Sequence, residues 1–244
     1  MRGWPGDWIV PDWPAPARVR ACVTTRSGGV SQAPFDTFNL GDHVGDAPDA
    51  VAANRSQLQQ LIGSEAAWMS QVHSSAAVEA DPRTCRTADA SWTSAPGVAC
   101  AVLTADCLPV LICDLDGTRV AAAHAGWRGL AAGILEATVA AMAAPGSHLM
   151  AWLGPAIGPA AFEVGAEVRE AFVSRHAAAS DAFVESRNDG RYMADIYRLA
   201  RIRLADCGVT AVFGGGFCTV HDQRFYSYRR AARTGRFASL IWLD

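Results

Sequence analysis

The chain has 244 residues, half of them hydrophobic, and carries a formal net charge of −3 at pH 7. This length is enough to bury a substantial core, and the balanced charge gives no electrostatic basis for binding nucleic acid or an anionic membrane surface. All 21 basic residues are arginine, which excludes mechanisms that need a lysine amine, such as Schiff-base catalysis, pyridoxal phosphate chemistry and Walker-type phosphate loops.

Seven cysteines are scattered along the chain without a CxxC pair. In a chain without a recognisable export signal, this pattern argues against a disulfide framework and against a structural zinc knuckle. The longest apolar runs have the length of strands, and no basic segment followed by an apolar one stands at the N-terminus. We therefore expect a cytoplasmic protein with neither a transmembrane span nor a signal peptide.

The first part of the chain predicts a lead, a strand, a long loop and a helix. Residues 1–17 are rich in Trp and Pro and match no motif, and residues 18–244 are expected to form one domain. ARVRACVTTR predicts an edge strand that enters a long loop rich in Gly, Asp and Asn, and loops of this length are usually functional. Residues 48–62 show helical spacing, and AAWMSQVHSSAAVEA is predicted to be a strand with His73 near its middle.

The middle of the chain predicts a β-hairpin. Residues 81–97 are rich in turn formers, and residues 98–103 begin the strand that delivers Cys107. LPVLICD and TRVAAAH are short runs rich in β-branched residues, and an Asp-Gly turn signal separates them. The hairpin therefore places Cys107 at the start of one strand and His124 at the end of the next.

The second half predicts helices that alternate with strands. Helical spacing begins at Trp127 and ends before Pro145, HLMAWLGP predicts a strand, and further helices are expected over 166–176 and 194–207. A strand, a triple-glycine turn, a basic segment and a last apolar strand complete the chain. Because helices and strands are interleaved and two neighbouring strands form a hairpin, we expect a mixed sheet rather than a parallel one.

Three side chains from separate elements are candidate metal ligands: His73, Cys107 and His124. Three protein ligands with an open fourth position are typical of a catalytic zinc site. The residues alone leave other interpretations open, since Cys107 is equally a nucleophile with His124 as its base, or a small buried hydrophobic residue. A copper site is a further alternative, but six histidines are too few for both a mononuclear and a trinuclear centre.

A set of motifs resembles the YfiH family, whose members are called laccase-domain proteins, polyphenol oxidases and purine nucleoside phosphorylases. The motifs are, in order, TTRSGG, FNLGDHVGD, NR, QVHS, TADCLPV, AAHAGWRG, LGPAIGP, FEVG, FYSYRR and TGR. The resemblance extends from about Arg18 to the C-terminus. It implies an α+β fold, with a single domain of mixed β-sheet layers flanked by helices in an α/β/β/α sandwich-like arrangement.

The resemblance also implies a function and a ligand set. The histidine of QVH, the cysteine of ADC and the histidine of HAGWRG are the family's metal ligands, and they correspond to His73, Cys107 and His124. The implied activity is zinc-dependent phosphorolysis of adenosine, inosine and methylthioadenosine, with adenosine deamination as a companion activity. Copper-dependent phenol oxidation and editing of peptidoglycan precursors have also been attributed to the family.

Other roles follow as expectations from this chemistry. Phosphate needs cationic neutralisation, and without lysine this role falls to arginine. The candidates are Arg26, Arg128, Arg229 and Arg230, of which Arg128 is favoured because it lies four residues beyond His124 at a predicted helix start. Asp106 is expected to orient a ligand histidine or to act as a general base.

We predict a zinc enzyme whose partners are purine nucleosides and phosphate, with neither nucleic acid nor membrane as a partner. Three alternatives remain at this point. The first is a Cys-His amidase or deamidase, including an enzyme that edits peptidoglycan precursors. The second is a copper-dependent polyphenol oxidase, and the third is a non-catalytic zinc-binding protein.

Overall fold

In residues 4–244, which the computed structural model describes, the fold consists of two main β-sheets, two small β-sheets and five α-helices. The helices are α1 (Pro48–Ile62), α2 (Trp127–Ala132), α3 (Ile134–Ala141), α4 (Ala166–Val173) and α5 (Ile196–Asp206). The strands of the two main sheets are β1 (Val19–Val23), β2 (Glu65–Ala67), β4 (Ala77–Glu79), β6 (Ala90–Thr93), β7 (Val98–Thr104), β8 (Leu108–Asp114), β9 (Val120–Ala125), β10 (Leu149–Leu153), β14 (Ala211–Gly214) and β15 (Phe237–Leu243).

The two main sheets are mixed, as the hairpin predicted. One has four strands in the order β1-β15-β7-β2, and the other has six in the order β14-β10-β8-β9-β6-β4. Two small sheets consist of β3 (Met69–Ser70) with β5 (Arg86–Thr87), and of β11 (Glu163–Gly165), β13 (Arg191–Ala194) and β12 (Phe183–Glu185). In the larger main sheet β8 pairs antiparallel with β9, whereas β10 pairs parallel with β14.

Alternating side chains of β8 connect the two main sheets and the helices. Val110 and Ile112 belong to the apolar cluster that the six-stranded sheet shares with α2 to α5. Leu111 and Cys113 point to the other face and belong to the cluster between the two sheets. Both faces of β8 are therefore buried, which explains why its sequence is almost continuously apolar.

Helix α1 covers the outer face of the four-stranded sheet. Leu58 and Ile62 pack with Leu103 and Trp242 in a third apolar cluster. The helix starts with a proline in its first turn and ends at Gly63, whose φ of 68° is the left-handed conformation that favours glycine. The layers are thus helix, sheet, sheet and helices, which confirms the predicted α+β fold. No helix in residues 4–244 combines the length and apolarity needed to cross a membrane.

Local patterns predicted many elements correctly. The helix over residues 48–62 is confirmed at both ends, and the hairpin is formed by β8 and β9. The predicted edge strand is β1, which lies at one side of its sheet. The helices predicted over 166–176 and 194–207 are α4 and α5, each somewhat shorter than expected.

Two predictions about elements were wrong. The strand expected around His73 is interrupted, because residues 71–76 form a loop between β3 and β4. The helix expected from Trp127 is divided into α2 and α3 at Gly133, whose φ is 103°. The turn-rich segment 81–97, for which no element was predicted, contains β5 and β6, and β6 pairs with the second strand of the hairpin.

The Trp-rich lead packs against the four-stranded sheet. The ring of Trp4 lies 6.0 Å from that of Trp242, and the ring of Trp8 lies 5.9 Å from that of Phe38. Ile9 adds a β-bridge to Val23. Residues 1–3 of the predicted lead lie outside the described residues, and the division into a lead and one domain stays a prediction.

Candidate metal centre

One loop and the ends of two strands bring the predicted ligands together at one end of the sandwich. His73 lies in the β3–β4 loop, Cys107 directly precedes β8, and His124 lies in β9. Their ligand atoms all lie within 4.8 Å of one another. His73 is exposed, Cys107 is half-buried and His124 is buried, so the cluster opens to solvent on the His73 side.

The spacing of the donor atoms fits a single tetrahedral metal ion. Cys107 Sγ lies 3.7 Å from His73 Nε2, and the rings of His73 and His124 are 4.7 Å apart in an edge-on arrangement. Around a tetrahedral zinc with a Zn–S bond of about 2.3 Å and a Zn–N bond of about 2.05 Å, sulfur and nitrogen lie about 3.5 Å apart. The side chains therefore need only a small adjustment to hold a metal ion.

A buried carboxylate, Asp89, holds both histidines in place. Its Oδ1 accepts a hydrogen bond from His124 Nδ1 at 2.8 Å, which leaves Nε2 of that ring to face the cluster. The same carboxylate accepts the backbone N–H groups of Val72, His73 and Ser74 and the hydroxyl of Ser74, at 2.6–3.3 Å. Asp89 therefore supports the loop that carries one ligand and orients the ring of the other, as partners of metal-bound histidines commonly do.

The backbone of the His73 loop depends on this support. His73 adopts a φ of 61°, a left-handed conformation that is uncommon for residues other than glycine. Hydrogen bonds from three consecutive N–H groups to one carboxylate stabilise this conformation. The prediction of a strand at this point missed the loop because His73 stands among residues with ordinary strand propensity.

Electrostatics favour a charged pair in the metal-free site. Burial raises the pKa of the Cys107 thiol, but the charge of His124 and hydrogen bonds from both histidines outweigh burial and lower the pKa to about 6. Burial lowers the pKa of His124, but the Cys107 charge and the Asp89 hydrogen bond raise it to about 9. Burial likewise raises the pKa of Asp89, whereas its bonds from His124 and Ser74 lower it to about 2. A divalent metal ion that binds here would therefore displace a proton from His124, whereas Cys107 is already deprotonated.

Two glycines of the HAGWRG motif allow the ligands to approach. A Cβ at Gly126 would lie 2.7 Å from His73 Cδ2 and 3.0 Å from Cys107 Sγ. A Cβ at Gly129 would lie 2.8 Å from the carbonyl oxygen of Ser74. The absence of side chains at these positions is what lets the start of α2 pack against the ligand loop.

Asp106 does not have the histidine-orienting role that the sequence predicted. Its carboxylate accepts the Thr219 hydroxyl at 2.6 Å and the backbone N–H of Arg229 at 2.7 Å, and within residues 4–244 neither oxygen bonds to a histidine. The carboxylate thus joins the C-terminal loops to the turn before Cys107. The orienting role belongs to Asp89, which sequence analysis missed because it stands in an irregular segment.

Three of the four predicted anion-binding arginines have internal hydrogen-bond partners, and Arg26 and Arg229 are two of them. Arg26 Nη2 pairs with Asp36 at 2.8 Å, and its Nε donates to the backbone oxygen of the same residue. Arg229 directs both terminal nitrogens to the carbonyl oxygen of Glu163, at 3.3 and 3.2 Å. The Arg229 contacts are long, so this guanidinium is held less firmly than that of Arg26.

Arg230 is the third of them, whereas the Arg128 guanidinium makes no hydrogen bond to a described residue. Arg230 donates to the carbonyl oxygens of Thr219, Val220 and Phe225, and so holds the C-terminal loop together. Arg128 is exposed and stacks on the ring of its neighbour Trp127, with 4.4 Å between its Cζ and the ring centroid. Of these four, Arg128 alone has a guanidinium without a protein hydrogen bond among the described residues.

Two imidazoles and a cysteine sulfur at one end of an α/β/β/α sandwich form a group with the spacing to hold a metal ion, in a protein of the α+β class. Residues 20–244 match the family described as multi-copper polyphenol oxidoreductase laccase. The chain belongs to this family, which confirms the resemblance that the motifs indicated.

Several relatives cover nearly the whole chain. A Pseudomonas aeruginosa protein named purine nucleoside phosphorylase is 68% identical over 238 residues, which are 97% of this chain and 98% of that protein. The Escherichia coli protein named purine nucleoside phosphorylase YfiH is 54% identical over 240 residues, with 96% and 98% covered.

Solved structures show the same fold. The crystal structure of Neisseria meningitidis protein NMB0706 has a TM-score of 0.95 and 52% identity, and the match covers 98% of this chain and 99% of that one. The crystal structure of YlmD from Geobacillus stearothermophilus has a TM-score of 0.87 and 28% identity, with 93% of each chain covered.

Proposed function

We propose that this protein is a zinc-dependent purine nucleoside phosphorylase. The observation that carries the proposal is the His73, Cys107 and His124 group, in a chain that is 54–68% identical to proteins named purine nucleoside phosphorylase. Adenosine, inosine and methylthioadenosine are the proposed nucleosides, with inorganic phosphate as the second substrate. Nucleic acid and membranes are not among the proposed partners, and the cytoplasmic location stays a prediction.

The donor set supports zinc as the metal. Two imidazoles and a thiolate with one side open to solvent match a catalytic zinc site, in which the metal supplies Lewis acidity and activates water when bound. In residues 4–244 this is the single cluster of three or more His, Cys, Asp or Glu side chains with metal-ligand spacing. A mononuclear centre follows from that inventory, whereas a multi-copper oxidase needs several copper ions.

The proposed reaction exchanges one bond at the ribose for another. A phosphate oxygen forms a bond to the anomeric carbon while the bond from that carbon to the purine nitrogen breaks. The electron pair of the broken bond stays on the purine, which takes up a proton and leaves as the free base together with the sugar 1-phosphate, which is ribose 1-phosphate from adenosine and inosine and 5-methylthioribose 1-phosphate from methylthioadenosine. Cationic groups of the chain neutralise the phosphate, and Asp89 keeps the metal-binding rings in place.

Adenosine deamination is proposed as a companion activity at the same site. Water replaces the amino group on the purine ring, and ammonia and inosine are the products. The deamination needs an activated water, and the open side of the cluster is where water and substrate can enter.

A second function has an observation of its own. Asp89 bonds to His124, and the charge and hydrogen bond of His124 favour a Cys107 thiolate, which is the arrangement of a Cys-His-Asp hydrolase. In the absence of metal, Cys107 is thus suited to attack an amide, as in the amidase, deamidase or peptidoglycan-precursor editing alternative. Copper-dependent phenol oxidation and a non-catalytic zinc protein have no comparable support in the geometry.

The proposal is tested with purified protein of measured zinc content. The protein is incubated with each nucleoside and inorganic phosphate, and free base, ribose 1-phosphate and inosine are separated by chromatography. We expect phosphate-dependent formation of ribose 1-phosphate from adenosine and inosine and of 5-methylthioribose 1-phosphate from methylthioadenosine. The absence of a sugar 1-phosphate with all three nucleosides in zinc-replete protein would overturn the proposal.

Cys107→Ser separates a ligand from a nucleophile. If the cysteine is a zinc ligand, the variant loses zinc and phosphorolysis together. Loss of activity with zinc fully retained would instead favour the Cys-His hydrolase. Cys113→Ser is the matched control, because Cys113 is buried between the sheets away from the cluster.

A further inference from the structure

We propose that Arg236 is the residue that holds the phosphate at this site, and that the turn of Asn39, Leu40 and Gly41 keeps it in position. The inference rests on the proposed phosphorolysis, since it names the group that receives the second substrate. Arg236 was absent from the arginines expected to bind phosphate.

Strand pairing places Arg236 beside the ligand loop. Phe237, the first residue of β15, pairs with Thr104, the last residue of β7. Because the two strands are antiparallel, Arg236 lies next to the segment that continues from Thr104 to Asp106 and Cys107. The chain thus delivers an arginine and a metal ligand to the same end of one strand pair.

The long Gly- and Asn-rich loop fixes the backbone and stem of this arginine. Asn39 Oδ1 accepts the backbone N–H of Arg236 at 2.8 Å, and the backbone oxygen of Arg236 accepts Leu40 N–H at 3.0 Å. A Cβ at Gly41 would lie only 2.8 Å from Arg236 Cγ, so the glycine lets the loop close over the stem. The side chain is therefore positioned before any ligand arrives, which lowers the entropic cost of binding.

One edge of the guanidinium remains free. Arg236 Nη1 donates to the carbonyl oxygens of Thr234 and Gly235, at 3.0 and 2.9 Å. No residue that the structure describes accepts a hydrogen bond from Nε or Nη2. These two N–H groups lie along the same edge of the planar group, and such an edge binds two oxygens of one phosphate.

The negative charges nearest to Arg236 come from Cys107, a predicted metal ligand, and from its neighbour Asp106. Burial lowers the pKa of the Arg236 guanidinium, and the negative charges of Cys107 and Asp106 offset this only in part. A metal ion on Cys107 would neutralise the thiolate, and Asp106 is already bonded to Thr219 and Arg229. The half-buried cation would then be available for an anion that approaches the cluster.

The four arginines with a predicted role are less suitable, and Arg229 directs both terminal nitrogens to the carbonyl oxygen of Glu163. Arg26 is paired with Asp36, and Arg230 is bonded to three carbonyl oxygens. Arg128 has free donors, but it is exposed and stacked on Trp127. Arg236 combines free donors, partial burial and a position beside Cys107.

The test compares Arg236→Gln and Arg236→Lys with Arg233→Gln. Arg233 lies three residues earlier and is exposed, so its variant removes the same charge from the same segment without touching the proposed phosphate contact. Initial rates of zinc-loaded enzyme are measured while phosphate is varied at saturating inosine, and then while inosine is varied. Direct binding of inorganic phosphate to the zinc-loaded protein is followed by phosphorus NMR.

We expect Arg236→Gln to raise the KM for phosphate and to weaken phosphate binding about 10- to 100-fold, with little change in the KM for inosine. The phosphate KM of Arg236→Lys should lie between those of wild type and Arg236→Gln, because lysine keeps the charge but loses the bidentate contact. Gly41→Ala should raise the phosphate KM with the arginine intact, since the added methyl group displaces its stem. Zinc content and thermal unfolding show that each variant is folded.

Two results would overturn the inference: an unchanged phosphate KM and phosphate binding in folded Arg236→Gln, or an equal loss in Arg233→Gln. A failure of the proposed function is distinguishable from both. If wild-type protein catalyses no phosphorolysis yet binds phosphate in a manner that depends on Arg236, the phosphorylase proposal fails and the assignment of Arg236 as the anion holder stands.

Discussion

Asp89→Asn removes a charge from the centre of the metal site with almost no change in volume. In the wild type, Oδ1 of Asp89 accepts His124 Nδ1 at 2.8 Å and His73 N at 2.9 Å. Oδ2 accepts Val72 N at 3.3 Å, Ser74 N at 2.6 Å and the Ser74 hydroxyl at 2.7 Å. An asparagine has one oxygen, so its NH₂ group must face either the loop N–H groups or the ligand histidine. Either orientation places donors opposite donors.

The structure gives the size of the effect in two ways. Losing hydrogen bonds to a buried charged group costs about 1.5–3 kcal/mol. Despite burial, the same hydrogen bonds and the charge of His124 lower the pKa of Asp89 from 3.8 to about 2, which corresponds to about 2 kcal/mol in favour of the folded, ionised form. We therefore expect the free energy of unfolding to fall by about 2–3 kcal/mol. Zinc affinity should fall about 10- to 100-fold, as for other partners of ligand histidines.

The pH dependence of stability has a defined sign. Folding lowers the pKa of Asp89, so its stabilisation is complete above the ordinary value of 3.8 and is lost as the pH falls towards about 2. Wild-type protein should lose this contribution in that acidic interval. Asp89→Asn should lack it at every pH.

The assays are denaturant unfolding of metal-free protein and zinc competition with a chelator. Asp116→Asn is the matched control: Asp116 also bonds to a histidine, His148, at 2.9 Å, but the pair is exposed. That variant should change stability by less than about 0.5 kcal/mol. Wild-type zinc affinity in Asp89→Asn would refute the role we assign to the carboxylate.

Two further predictions concern the same cluster. Gly126→Ala should weaken zinc binding while the protein stays folded, because its methyl group would lie 2.7 Å from His73 Cδ2. Gly6→Ala is the control, because no described atom lies within 4 Å of a Cβ at that position. Equal zinc content in the two variants would contradict the proposed contact between Gly126 and the ligand loop. Zinc binding at pH 8 should release about one proton, because His124, with its pKa near 9, is still protonated there while Cys107 is mostly a thiolate. Calorimetry in buffers of different ionisation enthalpy measures that number, and a value near zero would contradict the charged pair.

Sequence patterns predicted the elements whose formation depends on neighbouring residues. The helix over residues 48–62 has its own spacing, proline start and glycine end, and the β8–β9 hairpin has two apolar runs and a turn. The three ligands were named from motifs, and the structure brings them together. These features are local, or they depend on a motif that the family shares.

The residues that sequence analysis missed act through distant contacts. Asp89 is recognisable only once the 72–74 loop folds back over it, and that loop was expected to be a strand. The arginines show the same limit, because their availability depends on partners such as the Glu163 carbonyl that receives Arg229. Arginine side chains carry the same charge everywhere, and only tertiary structure determines which of them has free donors.

The two proposed functions are states of one site that differ in metal occupancy. With a metal ion bound, the sulfur of Cys107 is a ligand and its electron pair is unavailable for attack on an amide. Without metal, the same sulfur is a thiolate beside His124, whose ring is oriented by Asp89. Phosphorolysis should therefore increase with zinc content, whereas hydrolysis by Cys107 should decrease. A titration of one preparation from metal-free to zinc-saturated, with both activities measured at each step, distinguishes the two because their dependence on zinc has opposite signs.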